Sequence, residues 1–505
     1  MGSLTILRAM GIIAFFALAA FGVCLASGAE YKPGETVSDI YYSTVFKPGV
    51  SFKYSLYVPK VYDPNSPAAL YVCHDGLVQA HADIMDELAA AGEAPPVVCV
   101  GLTAGRLAPT LPGGAVWSMR AEEYDQCGPQ YANFVIDEFL PWLIQEYRLN
   151  ISPSPDWHLV GGCSSGGISA WNLAWFRNDY FHRCYMSSPT FSSMRGGEEP
   201  IFLARIAETR AIRCYELYGD DEPMLPAGDS YAAAINAERM MDFCGYEFGS
   251  EHFPGEGHGC RLCDPEVSRR AMAFLWKGWA DEPVRPLRNP LQIDDILSFG
   301  TGWEKVDESM PTPPAARSTV GTFRAEGSDL YLTDTQGNER RVTPADADFS
   351  HLTSVAVSAD LWRLYAADAN RRFIYAMPIN PDGTLGHPFG QAPLRLSWDA
   401  RQLGASALVT DEGGRLYAAT QLGVQVITPF GIVETLLTLP GDQPADEVAF
   451  GGPENRFLYA RSGETVYRRE MKVRGGFTDA GAEPTEPRPN SYNGYYQSER
   501  FGVKK

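Results

Sequence analysis

A short run of glycines and serines limits what this chain can fold into. Residues 158–171, HLVGGCSSGGISAW, place an apolar strand-like segment, a turn of very small residues and an apolar helix-like segment in direct succession. When a strand passes into a helix through so tight a turn, the residues two before and two after its centre must be small. With Ser164 at the centre, these residues are Gly162 and Gly166.

This pattern is typical of a nucleophile elbow and predicts Ser164 as the nucleophile. Two neighbouring residues are poorer centres of the same turn. Cys163 would have Gly161 and Ser165 at the two positions, and Ser165 would have Cys163 and Gly167. A glycine-rich turn without catalytic chemistry is the remaining interpretation.

A serine hydroxyl becomes reactive only when a base takes its proton and a carboxylate orients that base. In a strand–elbow–helix architecture the chain order is serine, acid, histidine. The segment CYELYGDDEPM offers Glu222 as the acid, with Asp221 as the alternative and Asp229 as a third candidate. The segment HFPGEGHGC presents His258 in a glycine-rich loop as the base, with His252 as the competitor.

The oxyanion that forms during acyl transfer needs preorganised donors, which are usually backbone N–H groups. One is expected from Ser165, the residue that follows the nucleophile. The other is expected from the loop after an early strand, in YVCHDGLV, through Gly76 or Leu77.

The chain divides into two parts with different periodicity. Between about residues 52 and 280, short apolar runs alternate with segments whose apolar residues are three or four apart, which predicts a parallel sheet covered on both faces. This half is therefore of the α/β class. A stretch with three prolines, ADEPVRPLRNP, follows, and residues 281–290 are predicted to be a stiff linker.

Beyond the linker the helical period is lost and a Leu-Tyr motif recurs within strand-like runs. The spacings of 34, 52 and 42 residues are close to those of propeller blades, which predicts an all-β, propeller-like domain over residues 291–475. An irregular β-sandwich is the alternative. Residues 476–505 are predicted to be an unstructured tail. The four motifs are Leu330-Tyr331, Leu364-Tyr365, Leu416-Tyr417 and Leu458-Tyr459.

The N-terminus has the features of an export signal. Residues 1–29 contain a basic residue, a long apolar stretch and small residues near the end, which predicts a cleaved signal peptide and a secreted or periplasmic protein. A retained membrane anchor is the alternative. The net charge of −20 disfavours nucleic acid and anionic membranes as partners, and no membrane contact is expected after cleavage.

The cysteines are confined to the first half. Of the ten, Cys24 lies in the predicted signal peptide and the other nine lie from Cys73 to Cys263. After cleavage this odd number implies at least one free thiol in an exported chain. The pair Cys260 and Cys263 is expected to form a local disulfide or to remain as two thiols. No second pair follows at a zinc-site spacing, so neither a metal nor a cofactor is predicted.

Five short segments occur in a characteristic order: HDG at 74–76, RAEEYD at 120–125, GCSSGG at 162–167, YGDDE at 218–222 and GEGHG at 255–259. Through them, residues 52–280 resemble the esterase-D-type α/β-hydrolases, the group of enterochelin, feruloyl and acetylxylan esterases. The resemblance implies an α/β-hydrolase domain over residues 30–280 that hydrolyses carboxylic esters through an acyl-enzyme, with Ser164, His258 and an acid near Glu222.

Residues 291–474 resemble the C-terminal part of the gluconolactonase (regucalcin-like) propellers, through segments such as DEGGRLYAATQLGVQVITPFG. Those enzymes hold a divalent cation with Glu, Asn and Asp. Here Thr353 and Ser406 stand at the positions that match the Asn and the Asp, and the Glu has no clear counterpart. A metal-dependent lactonase is therefore disfavoured, because hydroxyl groups are poor replacements for a carboxylate ligand.

Together these observations predict an exported serine esterase with an α/β-hydrolase fold followed by a propeller-like domain. Its expected substrate is a small-molecule or glycan-linked ester on a carbohydrate or polyol, a preference that rests on the family resemblance and on the second domain. The alternatives are a catalytically silent glycan-binding protein and a metal-dependent lactonase.

Overall fold

The structure is a computed structural model that describes residues 29–110, 112–398 and 400–476. Apart from their edge residues Ala29 and Gly476, the predicted signal peptide and the predicted tail lie outside these ranges. Within the described part of the chain, no helix has both the length and the apolar character needed to span a membrane.

The N-terminal domain is built on a ten-stranded mixed sheet. In this sheet the strand order is β12-β9-β8-β7-β3-β4-β2-β5-β6, and β1 pairs with β2. The strands are β1 (Thr36–Tyr42), β2 (Val50–Tyr57), β3 (Ala69–His74), β4 (Val97–Leu102), β5 (Arg106–Leu107), β6 (Trp117–Ser118), β7 (His158–Cys163), β8 (Arg183–Ser187), β9 (Arg213–Asp221) and β12 (Glu247–Gly257). A separate short hairpin consists of β10 (Met224–Leu225) and β11 (Gly228–Asp229).

The six strands from β12 to β4 are parallel, as the alternating pattern predicts, whereas the strands at the other edge are antiparallel. For β1 and β2 the reason is the length of the connection. Only residues 43–49 join β1 to β2, and so short a connection allows a hairpin but not the crossover that a parallel pair requires.

Within residues 29–110, 112–398 and 400–476, eight α-helices accompany the sheet. They are α1 (Gln79–Ala90), α2 (Arg120–Tyr124), α3 (Gln130–Phe134), α4 (Leu140–Glu146), α5 (Ser165–Phe176), α6 (Glu199–Ile206), α7 (Ser230–Cys244) and α8 (Pro265–Trp276). A π-helical turn over Val135–Phe139 joins α3 to α4.

Helices cover both faces of the sheet, because alternate residues of the central strands point to opposite sides. In β3, Leu70 and Val72 belong to the core under α5 and α7. Tyr71 lies in the opposite core, which α1 and α8 cover.

As far as the structure describes it, the C-terminal domain consists of four antiparallel sheets of four strands each. Their strand orders are β14-β15-β16-β17, β18-β19-β20-β21, β22-β23-β24-β25 and β13-β28-β27-β26. The bounds are β13 (Glu304–Val306), β14 (Ala316–Ser318), β15 (Gly321–Glu326), β16 (Asp329–Asp334), β17 (Glu339–Arg341), β18 (Leu352–Val357), β19 (Arg363–Asp368), β20 (Phe373–Pro378), β21 (Phe389–Pro393), β22 (Ala407–Thr410), β23 (Leu416–Thr420), β24 (Gly423–Ile427), β25 (Val433–Leu437), β26 (Glu447–Gly451), β27 (Phe457–Ser462) and β28 (Thr465–Glu470).

The four Leu-Tyr motifs occupy equivalent places in these sheets. They lie in β16, β19, β23 and β27, each beside the strand that contacts a neighbouring sheet, namely β15, β18, β22 and β26. All four leucines are buried. The motif therefore marks one strand with a buried leucine in each repeat of an all-β domain, and a propeller stays a prediction.

Residues 281–290 pack against the N-terminal domain. The backbone N–H of Val284 donates to Asp156, at 2.9 Å, and the backbone N–H of Leu287 donates to the carbonyl of Gly245, at 2.8 Å. Asn289 is buried and accepts from the N–H of Thr209. These contacts fix the path along which the chain enters the C-terminal domain.

The two domains share a buried junction. Leu436 of β25 belongs to the core of the N-terminal domain and forms a parallel bridge with Ala207. Beside it, Arg469 of β28 is 1% exposed and pairs with Glu208, which follows α6. The apolar contact of Leu436 and the ion pair of Arg469 both cross the junction, and together they hold the two domains in a fixed relation.

The pair between Arg469 and Glu208 should contribute measurably to stability. Arg469→Met leaves the Glu208 carboxylate without its cation, and we expect a loss of about 2–4 kcal/mol in the free energy of unfolding. Arg468→Met is the matched control, because Arg468 is the adjacent residue and its side chain pairs with Glu304 and Glu308 at the surface. Urea denaturation followed by tryptophan fluorescence measures both. Equal effects of the two substitutions would contradict this role.

Candidate active site

The turn between β7 and α5 is strained at Ser164. Its backbone has φ 62° and ψ −128°, a region that few residues other than glycine adopt. The N–H of Ser164 donates to the carbonyl of Ser187, at 2.9 Å, and the N–H of Gly167 donates to the carbonyl of Ser164. A Cβ atom on Gly162 would overlap the carbonyl group of Gly166. Small residues at these two positions therefore allow the strained turn.

The residues on either side of Ser164 have different surroundings. Cys163 is the last residue of β7, and burial raises the pKa of its thiol, so at neutral pH it stays in the less reactive protonated form. Ser165 is the first residue of α5, is buried, and lies within hydrogen-bonding reach of the Asp125 carboxylate. Ser164 is thus the hydroxyl at the tip of the turn.

His258 and Glu222 form a close pair. Nδ1 of His258 lies 2.6 Å from Oε2 of Glu222, and the Glu222 side chain is 1% exposed while that of His258 is 33% exposed. Burial alone raises the pKa of Glu222. Hydrogen bonds from His258 and Ser188 outweigh it, so the pKa lies below its usual value. Glu222 is therefore an ionised, nearly buried acceptor for the imidazole.

The other candidate acids and the other candidate base have different partners. Asp221 is exposed at the end of β9, and Asp229 caps the N-terminus of α7 through backbone N–H groups. His252 stacks on Tyr218, with 5.2 Å between the ring centroids, and lies 3.7 Å from Asp220. Sequence alone offered these alternatives, and in the structure it is Glu222 whose carboxylate contacts His258.

The loop that carries His258 is held beside the strained turn. The N–H of Gly259 donates to Oγ of Ser188, at 2.9 Å, and a Cβ on Gly259 would lie 3.6 Å from the sulfur of Cys163. Ser188 directly follows Ser187, whose carbonyl accepts from Ser164. Two consecutive residues, the last of β8 and the one after it, therefore hold both the turn and the histidine loop.

The loop after β3 approaches the same turn. A Cβ on Gly166 would lie 3.3 Å from the Asp75 carboxylate, which places residues 74–77 beside the start of α5. Gly101 allows this loop to lie directly against β4, since a Cβ on Gly101 would overlap the backbone nitrogen of Leu77. Gly76 has φ 113°, which only glycine adopts without strain. The predicted donors Gly76, Leu77 and Ser165 thus belong to adjoining segments.

Asp75 and Arg120 form a pair that no sequence pattern predicted. The guanidinium donates to both carboxylate oxygens, at 2.9 and 2.7 Å, and its carbon lies 5.4 Å from the centroid of the Tyr124 ring. Such a forked pair holds both side chains in one orientation. The position of Asp75 directly after a buried strand was the available signal, but its partner lies 45 residues away.

The Cys260 and Cys263 thiols are both free, and so are the other seven cysteines in the described part of the chain. Cys260 is buried and Cys263 is exposed. The described residues contain no cluster of His, Cys, Asp and Glu that could hold a metal ion. Of the two possibilities for the pair, the structure shows separate thiols.

The hydroxyl groups that match the gluconolactonase ligands contact backbone carbonyls. Oγ1 of Thr353 lies 2.6 Å from the carbonyl oxygen of Ala405, and Oγ of Ser406 lies 3.2 Å from that of Ala445. Each contact joins neighbouring sheets of the C-terminal domain. These two side chains therefore act as links between sheets.

Residues 47–244 match the family model described as "Putative esterase". This segment is therefore similar to the Esterase family. The match includes Ser164 and Glu222 and ends before His258. The N-terminal domain is thus an esterase domain, and the resemblance stated from the sequence is confirmed at this level. The comparison with curated proteins found no match.

Three solved structures illustrate the likeness. A ferulic acid esterase is 21% identical over 48% of this chain and 97% of its own, with a TM-score of 0.38. The siderophore hydrolase EstB from Aspergillus nidulans is 14% identical over 50% and 99%, with a TM-score of 0.37. A "putative gluconolactonase" is 22% identical over 30% of this chain and 48% of its own, with a TM-score of 0.26. With TM-scores below 0.5, these likenesses do not extend to activity or substrate.

Glu222 should make an acid-sensitive contribution to the stability of the esterase domain. Because folding lowers its pKa below the usual 4.5, the ionised group stabilises the fold above pH 4.5 and this stabilisation is lost as the pH falls through the folded pKa. We expect Glu222→Gln to lower the melting temperature at neutral pH, and the difference from wild type to shrink below pH 4.5.

Differential scanning calorimetry across this pH range measures the effect. Asp221→Asn is the matched control, because it changes the adjacent carboxylate, which is exposed. A difference between wild type and Glu222→Gln that stays constant on acidification would contradict the prediction.

Proposed function

We propose that the esterase domain is a serine esterase that works through an acyl-enzyme, with Ser164 as nucleophile, His258 as base and Glu222 as the acid. The observation that supports this most directly is the 2.6 Å contact of His258 with the buried Glu222, on a loop held beside the strained Ser164 turn. A serine, a histidine and a carboxylate in that relation provide the groups that acyl transfer requires.

In this mechanism Oγ of Ser164 attacks the ester carbonyl carbon while Nε2 of His258 takes the hydroxyl proton. Nδ1–H of His258 donates to Glu222, which stabilises the imidazolium. His258 then protonates the leaving alcohol oxygen, and the acyl group remains on Ser164. A water molecule, activated by the same histidine, attacks the acyl carbon and releases the acid.

The oxyanion is proposed to accept hydrogen bonds from the backbone N–H groups of Ser165 and of Gly76 or Leu77. Their segments adjoin at the start of α5, where the N-terminus of the helix also favours negative charge. The backbone of Leu77 lies directly against Gly101, and this close contact would keep the Leu77 N–H in place before substrate binds.

The substrate is proposed to be an ester of a carbohydrate or another polyol, and the protein to be exported. An acidic chain favours uncharged over anionic substrates. The C-terminal domain also contacts the esterase domain near the nucleophile turn. The N–H of Trp398 donates to the carbonyl of Cys127, at 3.1 Å, and its ring, 52% exposed, lies against Gly196. This exposed indole is proposed to contact the carbohydrate or polyol part of the substrate.

The first test is hydrolysis of p-nitrophenyl acetate and methyl ferulate. We expect Ser164→Ala to lower kcat/KM by at least about 10³-fold, because the acyl-enzyme cannot form. Cys163→Ala should retain most activity, and EDTA should have no effect. Activity that survives Ser164→Ala but is lost in EDTA would instead favour the lactonase interpretation.

The second test concerns the acid. Glu222→Gln should lower kcat by about 10²–10⁴-fold, because the imidazolium loses its charged partner. Asp221→Asn should leave kcat nearly unchanged, since its carboxylate lies in solvent at the end of β9. Steady-state kinetics with p-nitrophenyl acetate decide between them. The reverse order of effects would transfer the role to Asp221.

A further inference from the structure

A groove follows the junction of the two domains, at the end of α5 opposite to Ser164. Because α5 has twelve residues, its two ends lie about 18 Å apart. The wider part of the groove has a volume of about 660 Å³ and is lined by Asn133, Arg177 and Asp179 from one domain and by Trp303 and Asp442 from the other, among others.

A narrower part, of about 280 Å³, continues from it toward Ser397 and Arg401. The two parts share Phe176, Thr438 and Asp442, so they form one continuous surface. Neither domain alone provides this surface. The groove exists because the junction fixes the two domains side by side.

The charges that line the groove are already paired with one another. Arg177 donates to both oxygens of Asp179, at 2.9 and 3.0 Å, and to Asp137, at 2.8 Å. Arg210 donates to both oxygens of Asp442, at 2.9 and 2.6 Å. An anion would have to displace a carboxylate from a forked pair, and a cation would have to displace an arginine. The lining therefore disfavours charged ligands.

The same groups suit a ligand rich in hydroxyl groups. Paired carboxylates keep free lone pairs that accept from hydroxyl groups, and amide and guanidinium N–H groups can donate to them. Trp303 adds an apolar face, and its orientation is fixed because Nε1 donates to the carbonyl of Thr438, at 3.0 Å. A ring with apolar faces and a hydroxylated rim matches such a lining.

We propose that this groove binds a neutral oligosaccharide. Its narrow end leads toward the nucleophile turn, because Ser397 precedes Trp398, which contacts Cys127. Cys127 lies two residues after Asp125, whose carboxylate is within reach of Ser165. A glycan that runs along the groove would present an ester substituent to the site. This last step rests on the proposed function, whereas binding of the glycan does not.

The test uses the full chain with Ser164→Ala, so that no ester is consumed. Isothermal titration calorimetry with neutral tetrasaccharides of xylose, glucose and mannose should show binding. Asn133→Ala and Asp179→Ala should each weaken it by about tenfold or more, because each removes polar contacts of the lining. Asp348→Ala is the matched control, since that exposed carboxylate pairs with Arg371 elsewhere on the C-terminal domain.

Three results would overturn the proposal: no binding of any neutral tetrasaccharide, binding that Asn133→Ala and Asp179→Ala leave unchanged, or tighter binding of sulfated analogues. Hydrolysis of p-nitrophenyl acetate by the wild type is measured separately. Glycan binding without hydrolysis would support the groove and count against the proposed function. Hydrolysis without glycan binding would support the proposed function and count against the groove as a glycan site.

Discussion

The geometry of the site depends on the turn between β7 and α5. Gly162 and Gly166 approach so closely that a methyl group on Gly162 would overlap the backbone of Gly166. This approach forces Ser164 into its strained conformation at the carboxyl edge of the parallel strands. The loops after β3, β8 and β9 begin at the same edge, because parallel strands place their carboxyl ends together.

Buried polar groups hold these loops in register. Ser188 links the strand β8 to the histidine loop, and Glu222 holds the imidazole from a position that water hardly reaches. Charge-assisted hydrogen bonds of this kind are stronger when solvent is excluded. The forked pair of Asp75 and Arg120 fixes the opposite side of the turn. The side chains around Ser164 are therefore oriented before any substrate binds.

Charge-assisted hydrogen bonds also hold the domain junction. Arg210 donates to Asp442 across the junction, and its guanidinium carbon lies 3.8 Å from the centroid of a Trp175 ring. A guanidinium can stack on an indole and bind a carboxylate at once, which makes such a contact directional. Together with the apolar contact of Leu436, it holds the C-terminal sheets against the esterase domain and creates the groove between them.

Local sequence patterns were sufficient to predict the features that depend on neighbouring residues. The glycine spacing around Ser164 predicted the nucleophile turn, and the period of the apolar runs predicted a parallel sheet covered on both faces, because turn sterics and side-chain direction are local properties. Likewise, the Leu-Tyr motifs marked one strand with a buried leucine in each of four sheets. The other features depend on contacts between distant parts of the chain. Only the fold shows that Glu222, and not the adjacent Asp221, lies against His258, since a carboxylate's partner depends on the strand register. The pairs that join the domains link residues more than 200 positions apart, and no local pattern in a sequence records such contacts.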